Sequence, residues 1–223
     1  MTEIVLMSDP KVAAVPVREC GERLVDVRRG GALFVDERKG PDSAGAFAHL
    51  REGVLNRLLA AQEQLPGGTR LLFVEGYRPP ALQRRYFDRY ADRLRAGHPE
   101  WSVEQVRSAA SRYVSPPEIA PHSAGAAVDL TLADRDGREL DLGTRMNATP
   151  EESAGACYTQ AGNISDEARS LRTVLSTALT AAGLVNYPTE WWHWSFGDRY
   201  WALATGERAA LYGPVEPDRP QVP

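Results

Sequence analysis

The sequence predicts an α+β fold, a single domain with a small central, mostly antiparallel sheet flanked by helices. Three observations predict it. The 223 residues are 43% hydrophobic and 25% charged, an ordinary globular composition with enough apolar mass to bury a core. Helical and strand-like segments follow one another in an uneven order instead of a regular β-α-β array. No repeat, low-complexity tract or Ser/Gly linker divides the chain, and the one compositional break is the proline-rich stretch 213–223 (GPVEPDRPQVP). We therefore expect one domain over 1–212 and an extended or loose tail over 213–223.

Each element has a local reason. Residues 43–65 place Phe47, Leu50, Val54, Leu55, Leu58 and Leu59 at helical spacing and end in Pro66-Gly67-Gly68, which predicts an amphipathic helix. Residues 70–75 (RLLFVE) form an apolar run too short for a helix between breakers, hence a buried strand with Arg78 at its exit. Pro80 suits the first turn of a helix over 80–95. Ser102-Val103-Glu104-Gln105 has the form of a capping box for a helix over 102–113. Residues 126–132 (AAVDLTL) read as a strand, Asp134-Arg135-Asp136-Gly137 as a tight turn and 139–142 as the returning partner, a hairpin that carries Asp129. Ser165 caps a helix whose Ala168, Leu171, Val174, Leu175, Ala178 and Leu179 face inward, with Gly183 as its stop. A strand over 191–196 comes last.

Charge and cysteine content narrow the function classes. With 26 basic and 30 acidic residues the net charge is -4, which gives a nucleic-acid or anionic-membrane partner no electrostatic support. No apolar run approaches the roughly 20 residues that span a bilayer, and residues 1–10 (MTEIVLMSDP) lack the basic and apolar regions of a secretory leader. The expectation is a cytoplasmic protein that acts on a small molecule or peptide. Cys20 and Cys157 are far apart, outside any CxxC pair, and are expected to be reduced thiols.

Of the four histidines, two stand among other chemically useful residues. His49 falls in the first predicted helix and His98 in a polar turn, so both read as non-functional. His122 is followed by Gly125 and Asp129 within a run of small residues (HSAGAAVD). Asp129 interrupts an apolar strand, where a carboxylate needs either a cation or backbone amide hydrogen bonds to offset its burial. In Glu190-Trp191-Trp192-His193-Trp194 a carboxylate and an imidazole sit three apart among indoles, which exclude water and raise a carboxylate's pKa toward the range of a general base. Residues three apart point to opposite faces of a strand unless a bulge or strand end re-aims one.

Together His122, Asp129 and His193 supply the three protein ligands that leave a fourth zinc position open. Zinc lowers the pKa of its bound water toward ~7, and the spare carboxylate, Glu190, can take the proton as that water attacks an amide carbonyl. Arg78, in Gly76-Tyr77-Arg78-Pro79, reads either as the cation for the developing oxyanion or as a solvated surface arginine.

These residues resemble the D-alanyl-D-alanine dipeptidase family of zinc peptidases, the type associated with vancomycin resistance and D-dipeptide recycling. The family's G-Y-R-P block matches 76–79, its S-x-H-x-x-G-x-A-x-D block matches 120–129 and its E-x-x-H block matches 190–193, in the family's order and spacing. The resemblance implies a zinc dipeptidase domain over 1–212 with one Zn2+ per chain on His122, Asp129 and His193. It makes Glu190 the catalytic base and Arg78 the stabiliser of the tetrahedral intermediate. The implied substrate is a small dipeptide, D-Ala-D-Ala or a related D-containing one, and Tyr77, Ala120, Ser123, Trp191 and Trp192 are expected to bind it.

Two positions depart from the family pattern. Ala120 stands where the block has Ser, and Gly143-Thr144 is followed by Arg145, Met146 and Asn147 where an acidic residue is expected. Both bear on specificity, not on the metal. Two other readings compete: a zinc D,D-carboxypeptidase or endopeptidase acting on peptidoglycan stem peptides, and a non-catalytic zinc-binding recognition module. An export signal would favour the first, and loss of Glu190 the second. The insertion between Arg78 and His122 is placed to roof the cleft against long substrates. Oligomeric state is not legible in the sequence.

Overall fold

The computed structural model describes residues 4–216. Its core is a five-stranded sheet in the order β2-β4-β5-β7-β6, formed by Phe34–Val35 (β2), Thr69–Glu75 (β4), Ala127–Asp134 (β5), Val185–Asn186 (β6) and His193–Ser195 (β7). Only the β2–β4 pair is parallel. A separate two-stranded ribbon pairs Leu24–Asp26 (β1) with His49–Arg51 (β3). Six helices surround these strands: Pro10–Ala14 (α1), Glu52–Glu63 (α2), Pro80–Gly97 (α3), Val103–Ala110 (α4), Asp166–Ala181 (α5) and Arg199–Thr205 (α6). The fold is the α+β architecture expected.

The central strands are buried from Leu71 to Glu75 and from Ala127 to Ala133, so β4 and β5 read as near-continuous apolar runs (LLFV, AVDLTLA). α2 and α5 pack on the sheet through Val54, Leu58, Leu175, Ala178 and Leu179, and Trp191, Trp192 and Trp194 join the same core. α3 and α4 bury a satellite cluster of their own, with Phe87, Tyr90, Leu94, Val106 and Ala110. The predicted caps are present: Ser102 and Gln105 form the capping box, and Ser165 accepts from the Ala168 amide. No helix among the described residues is long and apolar enough to cross a membrane. Cys20 and Cys157 are both free thiols, the first exposed and the second buried.

Three elements differ from expectation. The helix expected over 43–65 begins only at Glu52: Ala46–Ala48 is one 3-10 turn, and His49 lies in β3. An i, i+3 pair such as Phe47 and Leu50 suits a tight turn and strand as well as a helix, and here Phe47 and His49 offer their carbonyls to the Gly76 and Tyr77 amides. The returning strand over 139–142 shrinks to one bridge, Ala133 to Glu139, and one bond from the Leu140 amide to the Leu132 carbonyl. Further down β5 that edge is taken by β7. The last strand is three residues long, because Trp191 and Trp192 belong to the turn that leads into it.

The first part of the predicted tail is tied down. The Gly213 amide donates to Glu19 and the Val215 amide to the Ser123 carbonyl. The rest of that segment, 217–223, and residues 1–3 of the expected leader-free start lie outside the described residues.

Candidate active site

Sheet register assembles the site. Glu75, Asp129 and His193 are direct cross-strand partners on β4, β5 and β7, so their side chains stand in one row on one face of the sheet. A one-residue bulge between Phe73 and Glu75 makes this possible. Without it, Val74 would stand opposite Asp129.

His122 reaches the row from the 3-10 turn Pro121–Ala124, which Gly125 closes at a φ of 65°. A Cβ on Gly125 would lie 2.3 Å from a Leu24 methyl, so glycine is required there on two counts. Gly76 has a similar role at the end of β4, where a Cβ would meet the His49 carbonyl at 2.4 Å. This close approach puts the Gly76 carbonyl 2.6 Å from His122 Nδ1, which donates to it and leaves the Nε2 lone pair facing Asp129 and His193.

The three facing atoms are close together. His122 Nε2 is 3.2 Å from His193 Nδ1 and 3.4 Å from Asp129 Oδ1, and His193 Nδ1 is 3.0 Å from the same oxygen. Those separations suit three corners of a tetrahedron whose bonds are ~2.0–2.1 Å, since its edges are about 3.3 Å. All three side chains are buried. Burial acts to raise the Asp129 pKa, but the two imidazoles outweigh it and hold the carboxylate well below the usual range. Burial pushes the His193 pKa down, which favours the neutral ring. An ionised carboxylate and two imidazole lone pairs around one point are a donor set for a divalent cation.

Arg78 is held from several sides. Its Nε and Nη2 donate to the two carboxylate oxygens of Glu75 at 2.6 and 2.7 Å, and its Nη1 donates to Gln83 at 2.8 Å. Burial opposes the charge on Arg78, yet the adjacent Glu75 carboxylate raises its pKa above the ordinary value. The Arg78 amide donates to the His122 carbonyl, which ties the guanidinium segment to the His122 turn. The reading of Arg78 as a solvated surface arginine does not hold: its side chain is 11% exposed.

Glu190 and His193 meet in one cleft because Glu190 precedes β7, in a turn where the His193 amide donates to the Glu190 carbonyl. Burial, and then the negative charge of Asp129, raises the Glu190 pKa well above the usual carboxylate value. The cleft encloses about 280 Å³ and is lined by Arg78, His122, Asp129, Glu190 and His193 on its floor. Its wall comes from α3 and from the segment after α4, through Tyr86, Tyr90 and Tyr113, whose hydroxyl donates to the carbonyl of Asn147, another lining residue.

None of the five residues expected to contact substrate lines this cleft. Tyr77 turns the other way and donates its hydroxyl to the Val215 carbonyl at 2.7 Å. Ala120 is buried beside a small hollow near Asp198 and Tyr212. Ser123 donates to the Arg78 carbonyl. Trp191 donates its indole N–H to Thr144, and Trp192 is fully buried in the core. They brace the segments that carry Arg78, His122 and His193. Sequence reasoning missed Glu75, Gln83 and the tyrosine wall. Glu75 carried a usable signal, since it ends an apolar strand as abruptly as Asp129 interrupts one.

The D-ala-D-ala dipeptidase family of M15 peptidases has a model that matches residues 45–207, a span containing all three sequence blocks. The chain belongs to that family. It is a metallopeptidase. A D-alanyl-D-alanine dipeptidase from Synechocystis is 29% identical over 91% of this chain and 96% of its own length. The dipeptidase of the same description from Escherichia coli K12 is 27% identical over 56% of this chain and 54% of its own. Among solved structures, the LdcB LD-carboxypeptidase aligns over 91% of this chain and 86% of its own at 16% identity, with a TM-score of 0.47.

Proposed function

We propose that this family member is a zinc-dependent dipeptidase that hydrolyses a short D-containing dipeptide, D-Ala-D-Ala or a close relative. The observation that carries the reading is the convergence of His122 Nε2, Asp129 Oδ1 and His193 Nδ1 on the floor of a cleft that Arg78 and Glu190 also line. Those three residues would hold one zinc ion per chain. When bound, zinc supplies Lewis acidity, making water acidic near neutral pH and polarising a carbonyl.

The chain's own groups do the rest. Glu190, buried beside the cluster, accepts the proton of the attacking water on its carboxylate and returns it to the leaving amine nitrogen. Arg78 uses three of its five N–H donors on Glu75 and Gln83, which leaves two for the oxygen on which negative charge develops. Because the guanidinium is already oriented, little reorganisation accompanies the reaction. A volume of about 280 Å³ lies at the lower end of ligand pockets and suits a substrate of two residues. The wall from α3 and the segment after α4 favours such a substrate over a peptidoglycan strand, and the descriptions of the relatives support D-alanine at both positions.

The test is a hydrolysis panel on zinc-loaded protein with D-Ala-D-Ala, L-Ala-L-Ala, the mixed isomers and a stem pentapeptide. Turnover confined to dipeptides with D-residues is expected. Faster release of the terminal residue from the pentapeptide would replace the dipeptidase reading with a carboxypeptidase one.

A further inference from the structure

Residues 86–93 read Y-F-D-R-Y-A-D-R, a tandem Tyr-x-Asp-Arg repeat on α3. On a helix of 3.6 residues per turn a period of four stacks like upon like, so Tyr86 and Tyr90 neighbour each other, as do Arg89 and Arg93. All four line the cleft. Each guanidinium lies over the tyrosine three residues before it, at 5.4 Å for Arg89 on Tyr86 and 4.9 Å for Arg93 on Tyr90. This stacking orients the planes while leaving their N–H edges free.

Neither arginine has a carboxylate within ion-pair distance among the described residues. The aspartates of the repeat do not pair with them: Asp92 pairs with Arg95, and Asp88 lies with Arg84 and Arg85 along an outer groove that Arg89 also borders without an ion pair. Two like charges four apart cost a helix stability, and the tyrosine rings offset that cost without neutralising either charge. The other charges around the cleft do not answer them either. Glu75 is committed to Arg78, Asp129 to the imidazole cluster, and nearby Glu151 to Tyr90 and Arg112. Glu190 is the one carboxylate left, and it lies at the floor.

We propose that Arg89 and Arg93 form a specificity site for a second substrate carboxylate, so that the preferred dipeptide carries an acidic side chain in addition to its C-terminal carboxylate. The proposal rests on the dipeptidase reading. A neutral dipeptide presents one carboxylate to a wall with two guanidiniums, each able to grip one in a bidentate manner. An acidic side chain supplies the missing partner.

The experiment compares kcat/KM for D-Ala-D-Asp and D-Asp-D-Ala with the near-isosteric D-Ala-D-Asn and D-Asn-D-Ala, with D-Ala-D-Ala and N-acetyl-D-Ala-D-Ala alongside, on zinc-loaded wild type and Arg89→Gln/Arg93→Gln. At least one acidic dipeptide is expected to exceed its amide counterpart by about tenfold or more at low salt, with the ratio shrinking as salt rises. The double Gln variant should bring that ratio close to one, and Arg89→Lys/Arg93→Lys should restore part of it. Helical circular dichroism of the variants checks that α3 is intact. Equal rates for acid and amide, or a ratio unchanged in the Gln variant, would overturn the proposal and leave the dipeptidase reading standing. A preference for N-acetyl-D-Ala-D-Ala over every acidic dipeptide would also overturn it, by assigning the cationic wall to substrates without a free ammonium. No turnover of any dipeptide would remove the dipeptidase reading and the proposal with it.

Discussion

Replacing Glu75 with Gln tests whether a residue outside the sequence blocks organises the site. The Glu75 side chain is 7% exposed and that of Arg78 11%, so the pair is nearly desolvated. Gln keeps one acceptor and replaces the other oxygen with an amide NH2, a donor that cannot accept from Arg78 Nη2. Removing one partner of a buried ion pair costs about 3–5 kcal/mol, because the remaining charge stays buried. Here the retained acceptor and the 2.8 Å bond to Gln83 place the isosteric change near the lower end, about 3 kcal/mol. In a domain of this size each kcal/mol lowers Tm by roughly 2–4 °C, so a fall of about 6–12 °C is expected.

The same change should affect catalysis. Without its bidentate partner the guanidinium is free to leave the position proposed for it beside the developing oxyanion, and kcat/KM should fall by about 10²-fold, the scale for losing one such donor. Thermal unfolding by circular dichroism gives the first number, and steady-state kinetics on samples of measured zinc content give the second. A double-mutant cycle with Arg78→Lys should be strongly non-additive, since both changes break one contact. A Glu75→Gln protein with Tm within about 2 °C of wild type and undiminished kcat/KM would show that Arg78 needs no partner, and the geometric argument would fail.

Three further outcomes follow from the site. His122→Ala, Asp129→Ala and His193→Ala should each reduce zinc from one per chain to a small fraction by elemental analysis, whereas His49→Ala and His98→Ala should not; metal retained at full occupancy in His193→Ala would refute the ligand set. Glu190→Gln should keep zinc and dipeptide affinity while kcat drops by about 10²–10⁴-fold, so wild-type turnover would exclude Glu190 as the base. Tyr77→Phe removes the donor to the half-buried Val215 carbonyl and should cost about 1 kcal/mol, read as a Tm lower by roughly 2–4 °C, with KM within about twofold of wild type; a large rise in KM would return Tyr77 to the substrate cleft.

The residues of the candidate site were legible because each broke a local rule. Asp129 is a carboxylate in an apolar strand, His193 and Glu190 sit among indoles, and Gly125 and Gly76 occupy positions where a side chain would collide with the next segment. The elements around them were legible where the pattern was long or capped, as in α3, α4 and α5. The first predicted helix failed because a few apolar residues at i, i+3 spacing carry no information about whether their amides will be claimed by a distant strand end.

The substrate residues failed for a different reason. Adjacency in sequence is not adjacency in the cleft: Tyr77 precedes Arg78 but turns to the Val215 carbonyl, and Ser123 follows His122 in the 3-10 turn but turns back to the Arg78 carbonyl. The cleft is completed instead by Tyr86 and Tyr90 of α3 and by Tyr113 after α4, all from the insertion between Arg78 and His122. Glu75 shows the limit most clearly. Counting back from the Phe73–Leu130 pair with a period of two puts Val74 opposite Asp129 and turns Glu75 to the other face. One extra residue in β4 reverses both, and a bulge leaves no mark in a run as uniformly apolar as Leu71-Leu72-Phe73-Val74. The partner that holds Arg78 in place is thus set by a register shift, a property of the paired strands that neither strand carries alone.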